Sequence, residues 1–189
     1  LISGFNFSHF TSLETLNLSH TNLTAEQFNA IPSRVKLNIK NLHLTGIVLS
    51  NFNFLGFSNL ETLNLSNAHL LAEQFNAIPK EVKANIKSLN LTDVNLTDFE
   101  FSEFTLLENL DLNWDNLFSV LTAEQFNGLP TTVKASIKHL NLTSDIDVTS
   151  FNFAFLTGLN TLSLDLSNVQ GLTADQFNAI PQHAKDSVK

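Results

Sequence analysis

Residues 13–32 read LETLNLSHTNLTAEQFNAIP, and residues 60–79 repeat them as LETLNLSNAHLLAEQFNAIP. Altered copies begin at Leu107 and Leu159. The alanine of the second half recurs at Ala25, Ala72, Ala123 and Ala174, so the copies are 47, 51 and 51 residues apart. A period of this size marks a solenoid or array and takes precedence over any local reading.

Two sub-units alternate within each period. One reads L-x-x-L-x-L, as at Leu13, Leu16 and Leu18. The other reads I-K-x-L-x-L, as at Ile39, Leu42 and Leu44. Alternation over Leu-x-Leu predicts a short half-buried strand. Parallel strands are expected to centre near Asn17, His43, Asn64, Asn90, Asp111, Asn141 and Ser163.

The shorter steps between strands carry phenylalanine: Phe5, Phe7, Phe10; Phe52, Phe54, Phe57; Phe99, Phe101, Phe104; Phe151 and Phe153, with Leu156 in the third place. Rings repeated once per coil form an internal spine, and that is the expectation here. The longer steps carry a helix. Thr24-x-x-Gln27 is a capping box, repeated at Thr122 and Thr173, while Leu71 stands at the cap in the second copy and predicts a fraying start. Pro32, Pro79, Pro130 and Pro181 stop each helix about one turn on. Val35 and Ile39 then predict a further helical turn into the next strand.

Strand, loop and helix at this spacing resemble the leucine-rich repeat, and LETLNLSHTNL matches its L-x-x-L-x-L-x-x-N-x-L pattern. The resemblance covers nearly the whole chain. It implies one domain over residues 1–189, an α/β solenoid with a curved parallel sheet in which short Phe-rich and longer helix-bearing repeats alternate. The family's usual Asn position holds Thr21, Ile47, Ala68 and Val94, so its amide ladder is missing or displaced, with Asn22 a candidate. The IPxxVK lead-in looks like repeats of bacterial effector and surface proteins.

The chain has 189 residues, 43% apolar, and no run long enough to span a membrane as a helix. Lacking an initiator Met and a leader, it is expected to be a processed product or an excised segment. A net charge of −8 argues against nucleic acid or an anionic membrane as the main partner. Lysine recurs in the VKxxIK context, at Lys36 and Lys40, Lys83 and Lys87, Lys134 and Lys138, then Lys185 and Lys189, which predicts a solvated basic stripe along one side. There is no cysteine. Neither disulfide caps nor thiolate chemistry are therefore available, and the expected setting is bacterial secreted or cell-surface, with cytoplasmic the alternative. Seven Asn-x-Ser/Thr sequons, from Asn6 to Asn141, read as by-products of the repeat.

The resemblance implies that the inter-leucine side chains line a concave face. Its central row is Asn17, His43, Asn64, Asn90, Asp111, Asn141 and Ser163, monotonous in the first half. Regularity breaks later, where LDLNWDNLFSVLTAEQF gains four residues and TSDIDVTSF gains one. The expected partner-binding residues are Trp114, Asp115, Phe118, Asp111, Asp145, Asp147 and Asp165, with His43 and His139 on the strands. An indole among carboxylates suits a basic, amphipathic protein partner. No cofactor is expected, and no calcium-loop, HExxH, GxSxG or phosphate-loop pattern occurs. Ordered Asn and Thr/Ser rows would suit ice only on a flat array, which a curved sheet does not give.

Function is therefore expected to be non-catalytic protein binding. The competing class is a structural unit that stacks head to tail. Its candidate ends are Phe5, Phe7 and Phe10 on one side and Ala184 and Val188 on the other.

Overall fold

The computed structural model describes residues 7–112, 122–142, 147–164 and 171–186. Seven strands form a single open sheet, all parallel, in chain order: β1 (Thr15–Asn17), β2 (Asn41–His43), β3 (Thr62–Asn64), β4 (Ser88–Asn90), β5 (Asn109–Asp111), β6 (His139–Leu142) and β7 (Thr161–Leu164). Their central leucines share one register row: Leu16, Leu42, Leu63, Leu89, Leu110, Leu140 and Leu162. All seven are buried. One face of the sheet therefore seals the core, and on β1–β5 the side chains flanking each central leucine lie on the other, open face.

The long steps carry helix pairs: α1 (Ala25–Asn29) and α2 (Ser33–Lys36), α3 (Ala72–Asn76) and α4 (Lys80–Lys83), α5 (Ala123–Gly128) and α6 (Thr131–Ser136). A fourth pair, α7 (Ala174–Ala179) and α8 (Gln182–Lys185), follows β7. The expected cap is present. Thr24 Oγ1 accepts from the Gln27 N–H at 3.3 Å while Gln27 Oε1 accepts from the Thr24 N–H at 3.1 Å. At Leu71 only the glutamine half survives, Gln74 Oε1 accepting from the Leu71 N–H at 2.8 Å. Each proline does more than stop a helix. Pro32, Pro79, Pro130 and Pro181 also stand as the extended N-cap of the second helix in each pair.

Phenylalanine holds the steps together. The Phe28 ring stacks on Phe52 (centroids 4.7 Å apart) and Phe57 (5.4 Å), and Phe75 repeats this on Phe99 (4.3 Å) and Phe104 (5.5 Å). Phe126 stacks on Phe151 at 4.6 Å. Phe54, Phe57, Phe101, Phe104, Phe151 and Phe153 are buried, with Phe52 and Phe99 packed more loosely at the core edge. Each sealed ring contributes roughly 1.5–3 kcal/mol.

Among the described residues the three internal lysine pairs do not form the expected solvated stripe. The first lysine of each VKxxIK is buried, with Lys36, Lys83 and Lys134 only 6, 1 and 2% exposed. Their ammonium groups lie 5.4–5.7 Å from the nearest phenylalanine centroids. The second lysine is exposed but paired: Lys40 with Glu14, Lys87 with Glu61, Lys138 with Glu108. The short second helix of each pair turns its first lysine back towards the rings, so half the charge leaves the surface and the other half is locally neutralised.

Side-chain amides bridge successive coils from the ends of α1, α3 and α5, at Asn29, Asn76 and Asn127. Asn29 Oδ1 accepts from the Asn53 N–H at 2.7 Å, and its Nδ2 donates to the Asn51 carbonyl at 3.0 Å. Asn76 clamps Glu100 and Asp98 in the same way (2.8 and 3.0 Å), and Asn127 clamps Asn152 and Ser150 (both 2.8 Å).

Candidate functional site

The open face of the sheet is built from the residues on either side of each buried leucine. At the N-terminal end its carboxamides are spent on the chain itself. Asn17, Asn64 and Asn90 each accept, through Oδ1, from the backbone N–H two residues on, at Ser19, Ser66 and Thr92 (3.0, 2.9 and 2.9 Å). Thr45 and Ser66 bring their hydroxyls to 3.0 Å of one another. The recurring asparagine of these strands therefore has a structural cause: it closes the turn that leaves β1, β3 and β4.

Strands β5–β7 differ, and Asn90 of β4 belongs to both arrangements. Between Ser88, Asn90, Asn109, Asp111, His139 and Thr161 the open face sinks into a groove of about 460 Å³, floored by the central leucines. Asp111 Oδ2 accepts from Asn90 Nδ2 at 3.1 Å. His139 Nδ1 meets the Thr161 hydroxyl on the neighbouring strand. The groove thus combines a carboxylate with an exposed imidazole over an apolar floor, a combination that accepts cationic and hydrogen-bonding groups together.

Of the residues expected to bind a partner, Asp111 and His139 both line this groove, whereas His43 sits on β2, outside it. Asp147 lies in the loop after β6, where its Oδ1 accepts from the Thr149 N–H at 2.9 Å and from the Thr149 hydroxyl. The hydroxyl first, then the N–H, hold the Asp147 carboxyl below the usual carboxylate range. The loop at Gly171 packs directly on it, since a Cβ there would overlap Thr149 and come within 3.1 Å of Asp147 Oδ1. Trp114, Asp115, Phe118, Asp145, Asp165, Phe5 and Val188 lie outside the described residues. Among the described residues, no three His, Cys, Asp or Glu side chains converge as metal ligands would, and no helix is long and apolar enough to cross a membrane.

Two groups were not singled out from the sequence. Asn109 and Thr161 occupy the row two residues before the central one. The Leu-x-Leu alternation could have placed them, because positions on both sides of a buried strand residue share a face. Along the rim behind the groove, Glu108 bonds Lys138, with Lys87 nearby. The Lys138 hydrogen bond holds the Glu108 carboxyl below its ordinary value, and the residue remains in solvent.

Compared with protein-family models, curated proteins and solved structures, the chain matches none.

Proposed function

We propose that the chain is a leucine-rich-repeat module that binds a protein partner without catalysing a reaction, using the open face of β4–β7 and the loops of its C-terminal half. The observation that carries this reading is the change along one continuous face. On β1 and β3 the carboxamides serve the backbone, whereas on β5 and β6 the same face offers Asp111 and His139 in a groove. The single carboxylate and the net charge of −8 favour a partner presenting a basic, amphipathic surface. Partner capture from an extract should weaken at least about tenfold for the double variant Asp111→Lys, His139→Ala, and be unchanged for Asn17→Ala. Equal capture by all three proteins would remove the groove from consideration.

One observation favours a second reading, a structural repeat that stacks head to tail. The pair α7–α8 carries the same Phe–Asn–Lys set, Phe177, Asn178 and Lys185, as the three internal junctions, so the unit is built to be repeated.

A further inference from the structure

Asn29, Asn76 and Asn127 hold one place in the repeat, yet only the third is followed by glycine. The pairs read Asn29-Ala30, Asn76-Ala77 and Asn127-Gly128, and no other glycine of the chain follows an asparagine. Packing does not require this glycine. Gly128 ends α5 in helical conformation, and a Cβ built on it meets nothing within 4 Å. Alanine would make a firmer helix end.

What the glycine changes is chemistry. The carboxamide carbon of an asparagine can be attacked by the backbone nitrogen of the next residue. A side chain on that residue hinders the approach, whereas glycine leaves it clear and gives the backbone its widest freedom to turn. Asn127 and Gly128 are both exposed, so water reaches them.

Three hydrogen bonds keep the reacting groups apart. Asn127 Nδ2 donates to the Ser150 carbonyl and its Oδ1 accepts from the Asn152 N–H, both at 2.8 Å, which fixes the carboxamide. Lys134 Nζ donates to the Asn127 main-chain carbonyl at 2.9 Å, which fixes the peptide carrying the Gly128 nitrogen. A helical N–H points along the axis and not at the side chain before it. The hold nevertheless sits in the last turn, where a helix opens most readily. There α5 departs from its counterparts. The cap residue Leu129 is extended, with ψ 128°, whereas Ala30 and Ala77 continue α1 and α3 in helical conformation.

We propose that Asn127-Gly128 is a self-modification site, guarded by the asparagine clamp and Lys134 while they are closed and destructive of the clamp once it reacts. On opening, the Gly128 nitrogen bonds to the Asn127 carboxamide carbon. The bond from that carbon to Nδ2 breaks, and Nδ2 leaves as ammonia with the proton of the Gly128 N–H. Water then opens the cyclic imide at either carbonyl, giving aspartate or isoaspartate. Either product sets a carboxylate where Nδ2 donated, so the Ser150 carbonyl loses its donor and the chain gains a negative charge. The junction between α5 and residues 150–152 is thereby weakened irreversibly, while those at Asn29 and Asn76 keep their amides. The groove on β4–β7 plays no part in this.

Peptide mapping by mass spectrometry on the 189-residue chain tests it, with isoaspartate methyltransferase labelling of the same digests. In urea above the unfolding transition, Asn127 should deamidate at least about tenfold faster than Asn29 and Asn76. In the folded chain it should react at least about tenfold more slowly than in urea. Lys134→Met frees the Asn127 carbonyl and should speed the folded reaction about fivefold or more. Gly128→Ala should bring Asn127 down to the rate of Asn29 and Asn76 in urea. Asn127→Asp is one of the two products. It should raise hydrogen exchange over residues 150–153 about fivefold or more, as should the aged chain purified by its added charge. Far-ultraviolet circular dichroism verifies that the three variants fold. A rate at Asn127 no higher than at Asn29 and Asn76 in urea overturns the site. A rate equal in the folded and unfolded chains, or indifferent to Lys134→Met, overturns the guard. Unchanged exchange in both Asn127→Asp and the aged chain overturns the loss of the clamp.

Discussion

Lys83 holds its ammonium group 5.7 Å from the centre of the Phe75 ring while only 1% of the residue is exposed. Burying a charge is costly unless it is met, and here the Phe104 ring, 6.0 Å away, and three closer groups meet it. Phe75 offers its face, the Asn76 carbonyl accepts at 3.0 Å, and Glu103 lies at 3.8 Å. Lys134 has a ring and the Asn127 carbonyl at 2.9 Å; Lys36 has the Phe28 and Phe57 rings and no hydrogen bond among the described residues.

Substitution by methionine should separate these contributions. Lys36→Met should lie within about 1 kcal/mol of the parent, on either side, because an apolar side chain of similar volume replaces a desolvated charge. Lys83→Met and Lys134→Met should each cost about 1–3 kcal/mol, since a helix-end carbonyl loses its donor. Urea unfolding measures all three. Equal losses at the three sites would shift the stabilisation from the carbonyls to the rings.

The same lysines set a pH dependence. Desolvation lowers the Lys36, Lys83 and Lys134 ammonium groups from 10.5, with Glu103 and then Glu100 partly opposing it at Lys83. A lowered folded value means that the unfolded chain binds protons more tightly in this window. The charge penalty is thus fully present below the lowered folded values and fades as pH rises towards 10.5. Relative to a variant with all three replaced by methionine, the parent should gain thermal stability steadily through the alkaline range. A constant difference between the two melting curves would contradict this.

The asparagine clamp should be worth more than an ordinary surface hydrogen bond. Asn76→Ala strips a partner from both the Glu100 N–H and the Asp98 carbonyl. A loss of about 2 kcal/mol is expected in chemical denaturation. In the same repeat, Leu71→Thr supplies the missing acceptor at the start of α3 and should add about 1 kcal/mol. Hydrogen exchange should show slower opening of the first turn of α3 in that variant.

Two glycines should behave oppositely. A Cβ at Gly158 would overlap the Ala135 carbonyl oxygen, a backbone atom that cannot swing aside. Gly158→Ala should cost about 2–3 kcal/mol or more. At Gly128, within α5, a Cβ would meet nothing within 4 Å. Gly128→Ala should be neutral or stabilising by roughly 0.5–1 kcal/mol in the same thermal melts.

The strands, the helix starts and the Phe-rich steps were legible in the sequence because each is local information repeated with a period. Alternating leucines set the strand, Thr-x-x-Gln sets the cap, and the spacing of copies sets the parallel order. The sequence likewise named Asp111 and His139, though without the groove that joins them. Two things were decided only by tertiary structure. Nothing within VKxxIK distinguishes a lysine that stacks on phenylalanine from one that pairs with glutamate. That depends on rings as far off as Phe57 and Phe104, which the neighbouring coil brings beneath the helix. Nor does AEQFN reveal that its asparagine clamps a backbone 22–25 residues further on. Local pattern determines which way a residue faces. Only the stacking of coils determines what it faces, because the energy of a buried charge or amide is set by the partners that replace its water.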